Sequence, residues 1–219
     1  MTARATVTLK IATSLDSRIA LSNGVSQWIT GPEARAKAHE MRAAHDAVLV
    51  GVGTVVADDP LLTARTVPLP EKQPVRIVAD SRLRTPAESR LVQSTATGRV
   101  VIAHAETATT PEASYPGDLQ FWPVGDGKGR VSPAELLRRA RAESLDRIFL
   151  EGGGQLAASF VGAGLVERIE WFRAPILLGG DGIPAIAPLG LSSIDAASHW
   201  TLSSTEAVGG DILETWLKA

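Results

Sequence analysis

No cysteine occurs in the 219 residues. That absence excludes disulfides, thiolate-ligated zinc, iron–sulfur clusters and cysteine nucleophiles together. An excess of either charge is also missing: 22 Lys and Arg face 24 Asp and Glu, interspersed along the chain. No basic surface for nucleic acid is therefore expected. Long apolar runs are absent too, since the longest uncharged stretch, Gly152 to Val166, is short and glycine-rich, which excludes a membrane span. The first residues, MTARATVTLKIATSL, carry charges and threonines where a signal peptide needs an apolar run. A cytoplasmic protein is expected. The four histidines, His39, His45, His104 and His199, are scattered without HxH or HExxH spacing, so no metal site is expected. There is no G-x-S-x-G nucleophile elbow, no internal repeat and no low-complexity segment. With 44% hydrophobic residues and a net charge of -2, the length predicts one large domain, two small ones being the alternative.

What is present is an alternation of short apolar runs and helical patterns. Strands are predicted at Ala5–Ala12, Ala47–Gly51, Val75–Asp80, Arg99–Ala103 and Arg147–Glu151. Between the first two lies GPEARAKAHEMRAAHD, with Pro32 at a first helical position and Ala34, Ala38 and Met41 on one face. A second helix is predicted over Ser132–Ser144, with Ser132 as N-cap, Pro133 at N1 and Glu135 three residues after the cap. After RIFLE, the run GGGQLAASFVGAG reads as a glycine-rich turn entering a helix. ERIEWFRAP and DILETWL read as late strands, antiparallel to each other. The segments Ala105–Asp118 and Gly125–Arg130 read as polar connectors. This order predicts an α/β fold with a largely parallel central sheet.

Three regions carry candidate chemistry, each with a bland alternative. In Glu151–Ala157 a strand ends, glycines allow close backbone approach, and a helix begins with free N–H groups. Gly152-x-Gly154-x-x-Ala157, with Glu170 roughly 20 residues on, fits a dinucleotide pattern, yet it lies late in the chain. Phosphate binding and close strand–helix packing both remain open there. In GVGTVVADDPLLTAR the pair Asp58 and Asp59 supplies too few oxygens for a hard cation, and an Asp-Pro turn is the simpler reading. Arg65 is either an anion ligand or a solvated arginine. In LKIATSLDSRIALSNGVSQWITG, Lys10 is a strand lysine that snorkels or acts, Asp16 a turn residue or an acid, and Trp28 a stacking surface or a core cover. Ser81, Arg82 and Arg84 follow a strand where a cofactor 2′-phosphate is often met.

The order and spacing of LKIATSLDSRIA, SQWITGPEAR, MRAAHDAVLVGVGTVVADDPLLTAR, VRIVADS, LEGGGQLAASFVGAGLVE and APILLGG resemble the pyrimidine reductases of riboflavin biosynthesis. The resemblance covers nearly the whole chain. It implies a dihydrofolate reductase-like fold, a mixed and mostly parallel central sheet flanked by helices, and NADPH as cofactor. It implies NADP contacts at Thr13, Trp28, Thr54, Asp58, Ser81 and the turn Gly153, Gly154, Gln155, Leu156, Ala157, Ala158 and Ser159. It implies substrate contacts at Ser26, Arg42, Leu62, Arg65 and Glu151, with the two arginines suited to the ribose phosphate. Lys10 matches a lysine near the reacting sugar, and Lys10, Glu151 and Asp16 are the catalytic candidates. One departure stands out: Ser17 occupies a position where the family usually has glycine. The zinc deaminase half that accompanies many such reductases needs a P-C-x-x-C arrangement, which this chain lacks. A free-standing reductase, or an excised domain of a longer protein, is expected.

By this resemblance the reaction is reduction of the ribosyl group of 5-amino-6-(5-phosphoribosylamino)uracil to the ribitylamino product. Alternatives keep the fold and change the substrate to the 2,5-diamino pyrimidinone phosphate or to dihydrofolate. A non-catalytic nucleotide-binding module is the remaining alternative; it would tolerate losses at Lys10, Arg42 or Glu151, all of which are retained. A homodimer is expected on the same resemblance.

Overall fold

Runs of aliphatic and β-branched residues form the strands, and the computed structural model describes residues 4–110 and 117–219. In chain order the elements are β1 (Thr6–Thr13), β2 (Arg18–Ala20), α1 (Pro32–Ala43), β3 (Ala47–Gly51), α2 (Val52–Asp58), β4 (Val75–Ala79), α3 (Arg90–Gln93), β5 (Val100–His104) and β6 (Leu119–Pro123). Then follow α4 (Pro133–Ala142), β7 (Arg147–Glu151), α5 (Gly154–Gly162), β8 (Arg168–Arg173), β9 (Ile183–Pro184), β10 (Trp200–Val208) and β11 (Asp211–Lys218). The described chain groups into two compact units, residues 39–149 with the N-terminal residues, and residues 7–38 with 150–219.

In the first unit β3, β4, β5 and β6 pair in parallel, with Leu49 opposite Ile77, Ile77 opposite Val101 and Ile102 opposite Phe121. Strands covered on both faces lose the polar alternation of a half-exposed sheet. Val48, Leu49, Val50, Ile77, Val78, Val100, Val101 and Ile102 are accordingly all buried. Val52 and Val55 of α2, Leu62 and Leu91 complete one core cluster with Val48, Val50, Val78 and Ile102. Ser132 caps α4 by accepting from the Glu135 N–H at 3.3 Å, with Pro133 opening the helix. The polar connector Ala105–Asp118 lies partly outside the described residues, at 111–116.

In the second unit β1 pairs β8 in parallel, whereas β8–β11 and β11–β10 are antiparallel. The two late strands expected to run antiparallel, β8 and β11, do so. A separate short pair joins β2 to β9. Across both units the strands are mixed and mostly parallel, with helices flanking them.

Two segments depart from expectation. The stretch after β3, expected as a loop, opens with helix α2. Its β-branched sequence gives little intrinsic helix preference, and it forms because Val52 and Val55 enter the core. Strand β10 had no sequence signal, because almost all its residues are exposed on both faces.

Candidate functional site

In the first unit three predicted substrate residues, Arg42, Leu62 and Arg65, meet around one segment, Leu62–Arg65. Leu62 is buried and takes a positive φ of 57°, which turns the chain out of α2. Among the described residues no strand pairs with the segment, and side chains bond its backbone instead. Arg42 Nη1 donates to the Thr63 carbonyl at 3.1 Å. Gln73 brackets Ala64, accepting its N–H at 2.8 Å and donating to its carbonyl at 2.9 Å. His39 faces the Arg65 N–H through Nδ1 at 3.3 Å and the Arg65 guanidinium through Nε2 at 3.0 Å. His39 and Arg42 are three residues apart on α1 and so share a helix face. The Arg65 guanidinium is exposed and has no carboxylate partner among the described residues.

The predicted cofactor residues of this unit lie apart from that segment along the chain. Thr54 is half-buried on α2. Asp58 ends the same helix; the residue as a whole is exposed, yet partial desolvation raises its carboxyl above the usual range. Its neighbour Asp59 is the left-handed C-cap of α2, and its Oδ1 accepts from the Arg90 N–H that opens α3 at 2.8 Å. Among the described residues no group of three or more His, Asp or Glu side chains is arranged to hold a metal. Ser81 Oγ accepts from the Val131 N–H at 3.0 Å, which leaves its hydroxyl proton for a further acceptor. Buried Asp80 fixes the turn beyond β4 by accepting from the Thr85 N–H and hydroxyl at 2.6 and 2.8 Å.

In the second unit Lys10 lies mid-strand on β1, its ammonium 5.7 Å from the centre of the Phe172 ring. Its partner across the β1–β8 register is Glu170. Glu170 is buried, accepts from Thr215 Oγ1 at 2.8 Å and pairs with Arg168. That removes it as the ribose-binding acid of a dinucleotide pattern. Thr13 is fully buried and accepts from the Trp171 indole N–H at 2.8 Å.

Asp16 sits in the turn between β1 and β2. Its Oδ1 accepts from Ser14 Oγ at 2.6 Å and from the Leu178 N–H at 3.1 Å, and its Oδ2 from the Gly179 N–H at 2.7 Å. These donors, the Ser14 hydroxyl first, lower its pKa to about 2. A carboxyl held this way is an anion at neutral pH and has no proton to give. Ser17, where the family usually has glycine, keeps a positive φ of 63°, and its Oγ accepts from Arg173 at 3.3 Å. Ser26 is half-buried. Trp28 is 70% exposed, and the Arg35 guanidinium lies 4.4 Å from its ring centre, a cation–π contact that presents the other face to solvent.

Glu151 ends β7 and is half-buried. Beyond it, Gly153 has φ 26° and no atom within 4 Å of where a Cβ would stand. It is also the N-cap of α5, without a side-chain cap. The first amides of this helix therefore face an opening left by an absent side chain, which fits a pyrophosphate. Gly154 is tight for another reason: a Cβ there would lie 2.8 Å from the Pro184 carbonyl. Gly154 in turn accepts from the Ala187 N–H at 3.0 Å, and Ser17 accepts from the Ala185 N–H at 3.1 Å. Gln155 is exposed, Leu156 and Ala158 are half-buried, Ala157 faces the core, and Ser159 Oγ donates to the Leu156 carbonyl at 2.7 Å.

Sequence reasoning passed over His39 and Gln73. The one available signal was the three-residue spacing of His39 and Arg42 on a helix. Gln73 offered none, because its partner is a backbone nine residues away.

Residues 5–213 match the family described as the RibD C-terminal domain. The chain is 39% identical over 221 residues to the riboflavin biosynthesis protein RibD of Actinobacillus pleuropneumoniae, covering 97% of this chain and 56% of that protein. It is 35% identical over 209 residues to the 2,5-diamino-6-ribosylamino-4(3H)-pyrimidinone 5′-phosphate reductase of Methanothermobacter thermautotrophicus, covering 94% of this chain and 95% of that protein. Among solved structures, RibD of Acinetobacter baumannii superposes with a TM-score of 0.85 at 25% identity, over 99% of this chain and 58% of that one. The chain spans a little over half the length of these RibD relatives. Its fold is that of the dihydrofolate reductase-like pyrimidine reductases, and the chain belongs to the RibD C-terminal domain family.

Proposed function

We propose that the protein is an NADPH-dependent pyrimidine reductase of riboflavin biosynthesis. It reduces the ribosyl group of 5-amino-6-(5-phosphoribosylamino)uracil to the ribitylamino product. The observation that carries this reading is the Leu62–Arg65 segment, where side chains hold an exposed guanidinium that no carboxylate among the described residues neutralises. Such a fork suits the oxygens of a phosphate monoester, and Arg42, on α1 and bonded to that segment, joins it. Leu62 and Ser26 serve the pyrimidine part of the substrate.

When bound, the reduced nicotinamide supplies hydride to C1′ of the opened sugar. The free amides that open α5, at Gly154, Gln155 and Leu156, hold the pyrophosphate, with Gly153 before them and Ala157, Ala158 and Ser159 continuing the helix behind. Thr13, Trp28, Thr54 and Asp58 serve the rest of the cofactor, and Ser81 its 2′-phosphate end. Lys10 Nζ gives a proton to the ring oxygen or nitrogen, and Glu151 accepts from ribose hydroxyls. Asp16, first considered as an acid, is better read as a positioning group, because its anion holds the Leu178–Gly179 backbone.

The deciding experiment follows NADPH oxidation with the deaminated substrate, the 2,5-diamino substrate and dihydrofolate in parallel, with NADH beside NADPH. Oxidation in step with the deaminated substrate, and faster with NADPH, is expected; no oxidation with fresh substrate sinks the reading. A better rate on the 2,5-diamino substrate would favour the specificity named for the Methanothermobacter relative. A cytoplasmic homodimer goes with the same reading. The exposed β10 edge, with Leu202, Ile212 and Leu217 open to solvent on β10 and β11, is a surface that pairing would cover. Sedimentation at micromolar concentration tests it, and a monomer there removes it.

A further inference from the structure

Among the described residues, His39 is what holds the Arg65 side chain. Its guanidinium is exposed, and a long flexible cation pays a side-chain entropy cost to stay in one rotamer. Both ring nitrogens of His39 face donors of the same arginine, its backbone N–H and its Nη2. A neutral imidazole has one lone pair in its plane, so it accepts one of the two donors whichever nitrogen carries the proton. With the proton on Nδ1, Nε2 accepts from Nη2 and limits where the guanidinium can go. A carboxylate in that place would also hold it, but would neutralise the charge that an incoming phosphate needs. An imidazole orients the cation and leaves the charge in place.

We propose that His39 is a positioning residue for substrate recognition: it sets the Arg65 guanidinium toward the substrate phosphate without competing with it. This rests on the assignment of Arg65 to the phosphate made above. His39 sits on the helix that also carries Arg42, one turn away, so a single element carries one arginine and positions the other.

The test compares steady-state kinetics of His39→Ala, His39→Leu and His39→Gln with the wild type, on the phosphorylated substrate and on the same compound without its phosphate. Leu keeps the bulk of the ring and removes the acceptor, so it decides the outcome if Ala fails to fold. Gln restores an acceptor near Nε2. In the Ala and Leu variants KM for the phosphorylated substrate should rise about tenfold, the scale of one hydrogen bond to a charged group, with kcat within about twofold. KM for the dephosphorylated compound and for NADPH should not move, and Gln should recover most of the loss. An unchanged KM in His39→Leu overturns the inference, and so does an equal rise with both substrates. If the wild type itself fails to turn over the phosphorylated substrate with NADPH, the functional reading falls and this inference with it.

Discussion

The Leu62–Arg65 segment and the turn at Gly153 and Gly154 both meet an anion under the proposed function, and they are held in opposite ways. Arg42, Gln73 and His39 reach the first segment with side chains from distant parts of the first unit. In the second unit the glycine turn is packed by main chain: the Pro184 carbonyl stands against Gly154, and the Ala187 N–H bonds to it. A side-chain scaffold can lose one support and keep its path, because each support holds a different residue and the others still anchor its neighbours. A main-chain scaffold has no such reserve, since one extra carbon displaces the whole contact.

The largest effect should come from Gly154→Ala. The added Cβ meets the Pro184 carbonyl at 2.8 Å, so the backbone must shift, at a cost of about 1–3 kcal/mol. Urea denaturation should show the lower midpoint, and KM for NADPH should rise; wild-type values for both would break the contrast. Next is Arg65→Ala, for which KM of the phosphorylated substrate should rise roughly ten- to a hundredfold while the melting temperature holds. A fall in kcat with KM unchanged would place Arg65 elsewhere in the reaction. Gln73→Ala removes two bonds to Ala64 and should raise the same KM by a smaller factor, about three- to tenfold. If it matches Arg65→Ala, the supports are not redundant.

Asp16 gives a pH test. Its pKa is lowered to about 2 in the folded protein, below the ordinary carboxylate value of about 3.9. Its stabilising contribution is therefore complete above about pH 4 and is lost as the pH falls toward about 2. Melting temperatures of wild type and Asp16→Asn should differ at neutral pH and converge across that window. A constant gap would mean that the carboxylate charge is irrelevant to the turn. The smallest effect is expected for Ser159→Ala, within about 0.5 kcal/mol of wild-type stability. Its hydroxyl bonds inside its own helix, so an NADPH KM that stays put would leave the cofactor contact of α5 to its first-turn amides.

Much of the fold was legible because burial leaves a mark on composition. β3, β4 and β5 are covered on both faces and read as aliphatic runs, interrupted by buried Arg76 in β4 and closed by buried His104 in β5. Ser132, Pro133 and Glu135 announced α4 in the order in which they cap it. β10 was silent for the converse reason, since WTLSSTEAV has no covered face to create alternation. The α2 helix was hidden because Val52 and Val55 are chosen for the core rather than for helical preference. At the site, Arg42 and Arg65 were placed by resemblance, but the contacts that hold them were not. His39 and Arg65 are 26 positions apart, and local spacing carries no trace of such a pair. Ser17 shows the limit from the other side: its positive φ gives a physical reason for glycine at that position, yet this chain accepts the strain and gains a bond to Arg173.

The Gln73 amide stands in for a neighbouring strand, offering Ala64 one donor and one acceptor as a sheet would. The residues it bridges, including exposed Val67, Pro68, Leu69, Glu71 and Lys72, are released from any duty to keep the segment extended. Loop closure costs little more when such a connection lengthens. This is therefore where the chain should accept inserted sequence, such as a fluorophore site or an affinity tag, with Arg65 still in register.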